Sequence, residues 1–199
     1  MTLLYRIIRG IVFIYAYIVY KIKIIGLENV PHEGGAVICA NHQSFNDVVL
    51  LAIATKRQLH FMGKEELFKI KPIAYLFKKL GAFPVKRGKG DVTAVEQAKD
   101  VVKSGKLFMI FPEGTRTNGE MIRAKSGAAL VASSCESDII PVAIKYSDNK
   151  HFFCNATLSF GKPFSVPKVD MENGGRKTIR EVSDKIMSNI KELYDKIWM

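Results

Sequence analysis

The chain reads as a single α/β domain with a central mixed, largely parallel sheet flanked by helices, preceded by a membrane-associated N-terminal helix. Three observations predict this. Short unbroken apolar runs, Ala36–Ala40, Leu107–Phe111 and Ile139–Ile144 among them, recur along the sequence, as strands buried on both faces do. Between them lie segments with apolar residues every three to four positions, so strand and helix alternate. The 199 residues suffice for one good core, and no internal repeat, low-complexity tract or interdomain linker divides them.

The first 25 residues are Leu, Ile, Val, Phe and Tyr punctuated by Arg6, Arg9, Lys21 and Lys23. The uncharged stretch Gly10 to Tyr20 has 11 residues, about 16 Å of helix against about 30 Å of hydrocarbon. It is too short to span alone, although snorkelling of Arg6 and Arg9 would lengthen it. A signal peptide would need a small-residue cleavage site, and Tyr17 to Lys21 offers none. A helix lying in the membrane interface would hold Phe13, Tyr15, Tyr17 and Tyr20 at headgroup depth and its cations on anionic lipid. A buried first helix of an ordinary domain is the competing reading. The expected division is an interfacial helix over 1–25 and a domain over 26–199.

After the break at Pro31 and Gly34-Gly35 comes the strand Ala36–Ala40, and a buried helix begins near Val48. Leu59–Met62 is a second strand. Leu67, Ile70, Ile73, Ala74, Phe77 and Leu80 then recur at helical spacing, interrupted by Pro72. Asp91 to Lys103 is an amphipathic helix ended by Gly105. Strand Leu107–Phe111 leads through the turn Pro112–Arg116 to a helix over Lys125–Ser134, followed by strands over Ile139–Ile144 and Phe152–Phe160. Ile179, Val182, Ile186, Ile190, Leu193 and Ile197 mark a closing helix, with Thr178-x-x-Glu181 as its capping box.

A net charge of +11 and an isoelectric point near 9.6 predict an anionic partner: nucleic acid, an acidic membrane surface or a phosphorylated substrate. Between Lys56 and Lys89 ten basic residues stand against two acids, Glu65 and Glu66. They are interleaved with apolar residues, which suits lipid headgroups, and no nucleic-acid-binding module is present, so nucleic acid is not an expected partner. A solvated basic face is the plainer alternative. Cys39, Cys135 and Cys154 form no Cys-x-x-Cys pair and have no metal-ligand spacing, which favours free thiols in a reducing compartment. Cys39 sits inside an apolar strand and reads as a core thiol rather than a nucleophile.

The best candidate for chemistry is Asn41-His42-Gln43-Ser44-Phe45-Asn46-Asp47, at a strand-to-helix turn. Five residues apart on one helix, His42 and Asp47 would point about 140° apart. With His42 in the turn and Asp47 in the first helical turn, the carboxylate reaches back to the imidazole. Ser44-x-x-Asp47 also matches a capping box, so Asp47 is either a helix cap or the orienter of His42. One carboxylate oxygen is not expected to serve both tasks. Pro112-Glu113-Gly114-Thr115-Arg116 leaves a strand that would end at the same sheet edge, where α/β folds build their sites. Arg116 offers a planar fork for phosphate, as does Arg87 in Gly81-Ala82-Phe83-Pro84-Val85-Lys86-Arg87.

These blocks, with Ile140-Pro141-Val142, stand in the order and spacing of the glycerolipid acyltransferases. The likeness runs from about Gly34 to Ile144 and is nearest to bacterial enzymes that acylate 1-acylglycerol 3-phosphate (lysophosphatidate). It implies a glycerol-3-phosphate-acyltransferase-like fold and a place in phospholipid biosynthesis. The implied reaction moves a fatty acyl group from acyl-CoA or acyl carrier protein to the acceptor's free hydroxyl, giving phosphatidic acid. His42 would be the general base and Asp47 its orienter, with Lys64 or a backbone amide near Gly114 stabilising the thioester oxygen. Arg87, Glu113, Thr115 and Arg116 would bind substrate, the arginines gripping phosphate and Glu113 orienting them or the acceptor glycerol. No metal or resident cofactor is implied. The implied partners are an anionic phospholipid membrane, lysophosphatidate and the acyl donor, and the implied location is the cytoplasmic face of the cell membrane, peripheral or monotopic. Acylation of glycerol 3-phosphate or another lysophospholipid, and a non-catalytic basic membrane scaffold, are the alternatives.

Overall fold

The computed structural model describes residues 3–85, 92–117, 119–148, 153–170 and 175–198. In chain order the elements are α1 (Leu3–Val19), β1 (Tyr20–Ile25), β2 (Ala36–Ala40), α2 (Asn46–Ala54), β3 (Leu59–Lys64), α3 (Lys71–Lys79), β4 (Ala82–Val85), α4 (Val92–Lys103), β5 (Leu107–Ile110), α5 (Gly127–Cys135), β6 (Ile139–Tyr146), β7 (Cys154–Phe160) and α6 (Gly175–Lys196). Seven strands form one sheet in the order β1-β7-β6-β2-β5-β3-β4. The five from β6 to β4 are parallel, β7 runs antiparallel to β6, and β1 runs parallel to β7. This is the single α/β domain with a mixed, mainly parallel sheet that the sequence predicts.

Side chains alternate along β2 with period two, and both faces are covered, which is why its sequence is apolar without interruption. Ile38 and Ala40 join Leu50, Leu51, Leu107 and Met109 beneath α1 and α2. Val37 and Cys39 join Ala98, Phe108, Ala128 and Ile186 beneath α4, α5 and α6. Burial pushes the Cys39 thiol well above its ordinary value, so it is a core thiol. A Cβ on Gly63 would meet the Phe68 ring at 3.0 Å, and Phe68 packs edge-on against Phe77. Gly63 shares its face with Leu59 and Phe61, so α3 lies on the α1–α2 side, as a right-handed crossover requires.

Four local expectations differ. The N-terminal helix stops at Val19, and residues 20–25 form an edge strand whose Tyr20 to Ile25 register with Cys154 to Ser159 of β7. The alternation Tyr20-Lys21-Ile22-Lys23-Ile24 is a strand period, and the apolar composition of the segment masks it. Ala82–Val85, read as part of a turn, is a strand paired to β3, with Pro84 accommodated because β4 is the sheet's edge. Pro72 opens α3 instead of interrupting a helix, after a 3-10 turn over Glu65–Phe68. Thr178 lies inside α6, which already begins at Gly175.

Arg9 does not snorkel. Its guanidinium donates to the carbonyls of Ala52, Ile53 and Thr55 at 3.3, 2.7 and 3.1 Å, closing the C-terminal end of α2 and tying α1 to it. Tyr5, Ala16 and Val19 face inward, whereas Ile7, Ile11, Phe13, Ile14, Tyr17 and Ile18 are exposed. Among the described residues no helix is long and apolar enough to cross a membrane.

Candidate active site

The site forms at the carboxyl end of β2, between the loops that follow β2 and β5. β2 stops at Ala40, opposite Val142, while β6 continues to Tyr146. Asn41 takes over the pairing: its Nδ2 donates to Ile144 O at 2.9 Å and its Oδ1 accepts from Ile144 N at 2.7 Å. Gln43 Nε2 adds a bond to the same carbonyl at 2.9 Å. The backbone of His42 is held from the other side. Its N–H donates to Glu113 Oε2 at 2.7 Å, and its carbonyl accepts from Thr117 N at 2.8 Å. The two turns are therefore sewn together at His42.

The imidazole stacks on Phe111 with centroids 3.9 Å apart and planes 10° from parallel. Its Nδ1 lies 2.8 Å from Asp47 Oδ2. An ionised carboxylate accepts, so Nδ1 carries the hydrogen and Nε2 is left as the basic nitrogen. Asp47 is fully buried. The same Oδ2 also accepts the N–H groups of Gln43 at 2.7 Å and Ser44 at 2.8 Å, and Oδ1 accepts the Tyr146 hydroxyl at 2.6 Å. The expectation that separate oxygens would fold the turn and orient the imidazole is thus wrong: Oδ2 does both. A carboxylate oxygen offers two lone-pair directions and a full share of charge, so three converging donors are accommodated. Half of the expected capping box forms, the Asp47 carboxylate reaching back to the Ser44 N–H, but the Ser44 hydroxyl does not reach the Asp47 N–H. Ser44 Oγ accepts from Asn46 N at 3.3 Å, and Phe45 is the residue before the helix.

Glu113 was expected to face substrate. Instead it is 2% exposed and turned inward, with Oε2 on His42 N and Oε1 3.5 Å from Thr117 Oγ1. Burial, opposed by those bonds, pushes its carboxyl up to about 7. The Gly114 N–H is not free to serve as an amide donor to substrate: it donates to Phe111 O at 3.0 Å and is committed to the turn. What the position requires is the left-handed φ of +71°; a Cβ there would also press on the Lys125 ammonium at 2.8 Å, a flexible chain end that can shift. Thr115 and Arg116 are exposed, and the Arg116 guanidinium lies 3.7 Å from the ring centroid of Phe45, which reaches over from the His42 turn. Lys64 is exposed at the end of β3, on the same sheet edge but two strands from β2. Arg87 lies outside the described residues.

One residue at the site carries no signal in the motifs: Tyr146 looks like an ordinary strand apolar. Among the described residues no group of His, Cys, Asp or Glu has the arrangement of a metal site.

The acyltransferase family pattern matches residues 21–145, which takes in both turns and every strand from β2 to β5. Over 181 residues the chain is 30% identical to a 1-acyl-sn-glycerol-3-phosphate acyltransferase of Bacillus subtilis, covering 88% of this chain and 89% of that protein. It is 37% identical over 110 residues to a lyso-ornithine lipid O-acyltransferase of Pseudomonas aeruginosa, covering 54% of this chain and 42% of the relative. The crystal structure of a 1-acyl-sn-glycerophosphate acyltransferase from Thermotoga maritima has the same fold, with a TM-score of 0.69 at 24% identity over 94% of this chain and 79% of that one. A buried His–Asp pair at the end of β2, the Glu113–Arg116 turn beside it and a family match spanning both place this chain in the acyltransferase family.

Proposed function

We propose that this chain transfers a fatty acyl group from an acyl thioester to the free hydroxyl of 1-acylglycerol 3-phosphate, giving phosphatidic acid. The observation that carries the reading is the 2.8 Å bond between His42 Nδ1 and buried Asp47, which leaves Nε2 to take a proton. The acceptor hydroxyl gives its proton to Nε2 as its oxygen attacks the thioester carbonyl. The carbon–sulfur bond then breaks, and the departing thiolate takes the proton back from the imidazolium, so the products are ester and free thiol and the imidazole is regenerated. Asp47 stays ionised throughout and stabilises the imidazolium. A positioned base of this kind contributes about 10²–10⁴-fold.

With the Gly114 amide committed to its turn, the charge that develops on the thioester oxygen falls to a cation. Lys125, whose ammonium crosses Gly114, and Lys64 are the candidates. Arg116 meets the acceptor phosphate from beside Phe45, and Arg87 is assigned to the same phosphate from its sequence motif alone. Thr115 borders Arg116 in the exposed part of the loop and is assigned to the acceptor with it.

The donor is acyl-CoA or acyl carrier protein, and no resident metal or cofactor takes part. The acceptor is met at an anionic phospholipid membrane, on its cytoplasmic face, with α1 lying in the interface. The exposed apolar face of α1 supports this, as do Leu67, Ile70, Ile73 and Tyr75 among the lysines Lys69, Lys71, Lys78 and Lys79 on the same side of the sheet.

A second acceptor reading has a specific basis in the relative that carries the name lyso-ornithine lipid O-acyltransferase. The experiment is an acceptor panel in anionic vesicles with one acyl thioester and free-thiol detection. Preference for lysophosphatidate over glycerol 3-phosphate, a lyso-ornithine lipid and zwitterionic lysolipids supports the reading. Equal or greater turnover with any of the other acceptors refutes it.

A further inference from the structure

We infer that Tyr146 is a positioning residue that tunes the basicity of His42 through Asp47; the inference rests on the base role given to His42 above. β6 outruns β2 by four residues, about 13 Å at a strand's rise, and so carries Tyr146 past the end of β2 into the space where α2 begins. There its hydroxyl donates to Asp47 Oδ1 at 2.6 Å from a position 7% exposed. Its ring packs against Tyr20 with centroids 6.0 Å apart, and the Tyr20 hydroxyl accepts Asn46 Nδ2 at 2.6 Å, one residue before Asp47. The phenol is thus carried by β6 and packed from β1, on strands separate from the one that leads into the His42 turn. It fills the one Asp47 oxygen that the turn leaves open.

Burial and the neighbouring Asp47 charge push the Tyr146 phenol far above its ordinary value, so it remains a donor through the neutral pH range. The charged and titratable groups around the imidazole come from several elements. Asp47 belongs to α2, Glu113, Arg116 and Lys125 to the loop after β5, Tyr146 to β6 and Tyr20 to β1. Removing one hydroxyl leaves the rest in place. Asp47 keeps its three donors on Oδ2 and stays ionised.

The sign follows from charge distribution. A donor on Oδ1 draws negative charge away from Oδ2, and without it Oδ2 holds the imidazolium more strongly. The His42 pKa then rises, and the free base is reached only at higher pH.

The test is the pH dependence of kcat/KM for Tyr146→Phe against wild type, together with an NMR titration of the His42 ring in 15N-histidine-labelled protein. We expect kcat on the acid side of the profile to fall about threefold with acceptor KM within about twofold, and the acid limb and the ring titration both to move up by about half a pH unit. Site-specific 3-fluorotyrosine at 146, a stronger donor of nearly the same shape, should move both downward and decides the question if Tyr146→Phe does not fold. A uniform loss at every pH with the acid limb and ring titration unmoved overturns the inference and leaves Tyr146 a packing residue. If wild type transfers no acyl group, the proposed activity fails, and the NMR titration still decides the role of Tyr146.

Discussion

The carboxyl edge of the sheet divides into two regions of opposite character. At β6, β2 and β5, Asn41, His42, Asp47 and Glu113 are each at most 8% exposed and held by bonds of 2.6–2.9 Å. At the rim, Lys64 and Arg116 are exposed, and α3 has no buried residue at all. The difference separates two demands. Proton transfer needs a fixed distance and a fixed tautomer, whereas gripping a charged headgroup needs cations that can adapt. Substitutions in the first region should therefore change turnover, and substitutions in the second should change apparent affinity.

The largest effect tests the centre. His42→Ala should lower kcat in the free-thiol assay by about 10³-fold or more while leaving the thermal melting midpoint within a few degrees of wild type. Retained turnover would place the base elsewhere. Next comes the rim: Arg116→Ala should raise the acceptor KM about tenfold with kcat within about threefold. A loss of kcat as large as that of His42→Ala would erase the distinction between the regions.

The smallest effect on rate falls on the residue that joins the two turns. Buried Glu113 holds its proton up to a pH of about 7, against an ordinary value of 4.5, so between those values the folded chain binds more protons than the unfolded chain. Its contribution to stability is therefore complete below about pH 4.5 and is lost as pH rises through about 7. Glu113→Gln keeps the shape and an acceptor for His42 N but does not titrate. In urea unfolding, wild type should lose about 2 kcal/mol relative to Glu113→Gln between pH 4.5 and 8, with turnover changed only a few-fold. A stability difference that does not vary with pH would mean that Glu113 is ionised in the folded protein throughout.

The parallel core is readable because strands covered on both faces must be apolar throughout, as β2, β5 and the Ile139–Ile144 part of β6 are. β1 was hidden by the same rule. Its period-two pattern follows an apolar helix directly, and its partner β7 lies more than a hundred residues away. The edge strand β4 was obscured by Pro84, which turn chemistry claims more readily than a ladder does. At the site, the Asn41–Asp47 turn announced its polar residues at short range. Tyr146 did not, because its meaning depends on how far β6 extends beyond β2, a property of sheet register that no local motif records. The motif marks Glu113 but not its neighbour: a carboxylate in an exposed-looking turn gives no sign that it faces inward to a backbone amide.

Oδ2 of Asp47 receives the imidazole and the two amides that shape the turn. A neutral amide side chain at 47 would present either one oxygen to these three donors with much less charge, or an NH₂ group against them. The route by which such a chain drifts into an inactive binding protein is therefore narrow. Substitution at 42 can remove the base and leave the turn standing, whereas substitution at 47 undoes both together. A relative that has abandoned catalysis but kept this architecture should reveal it first by a changed histidine beside an unchanged aspartate.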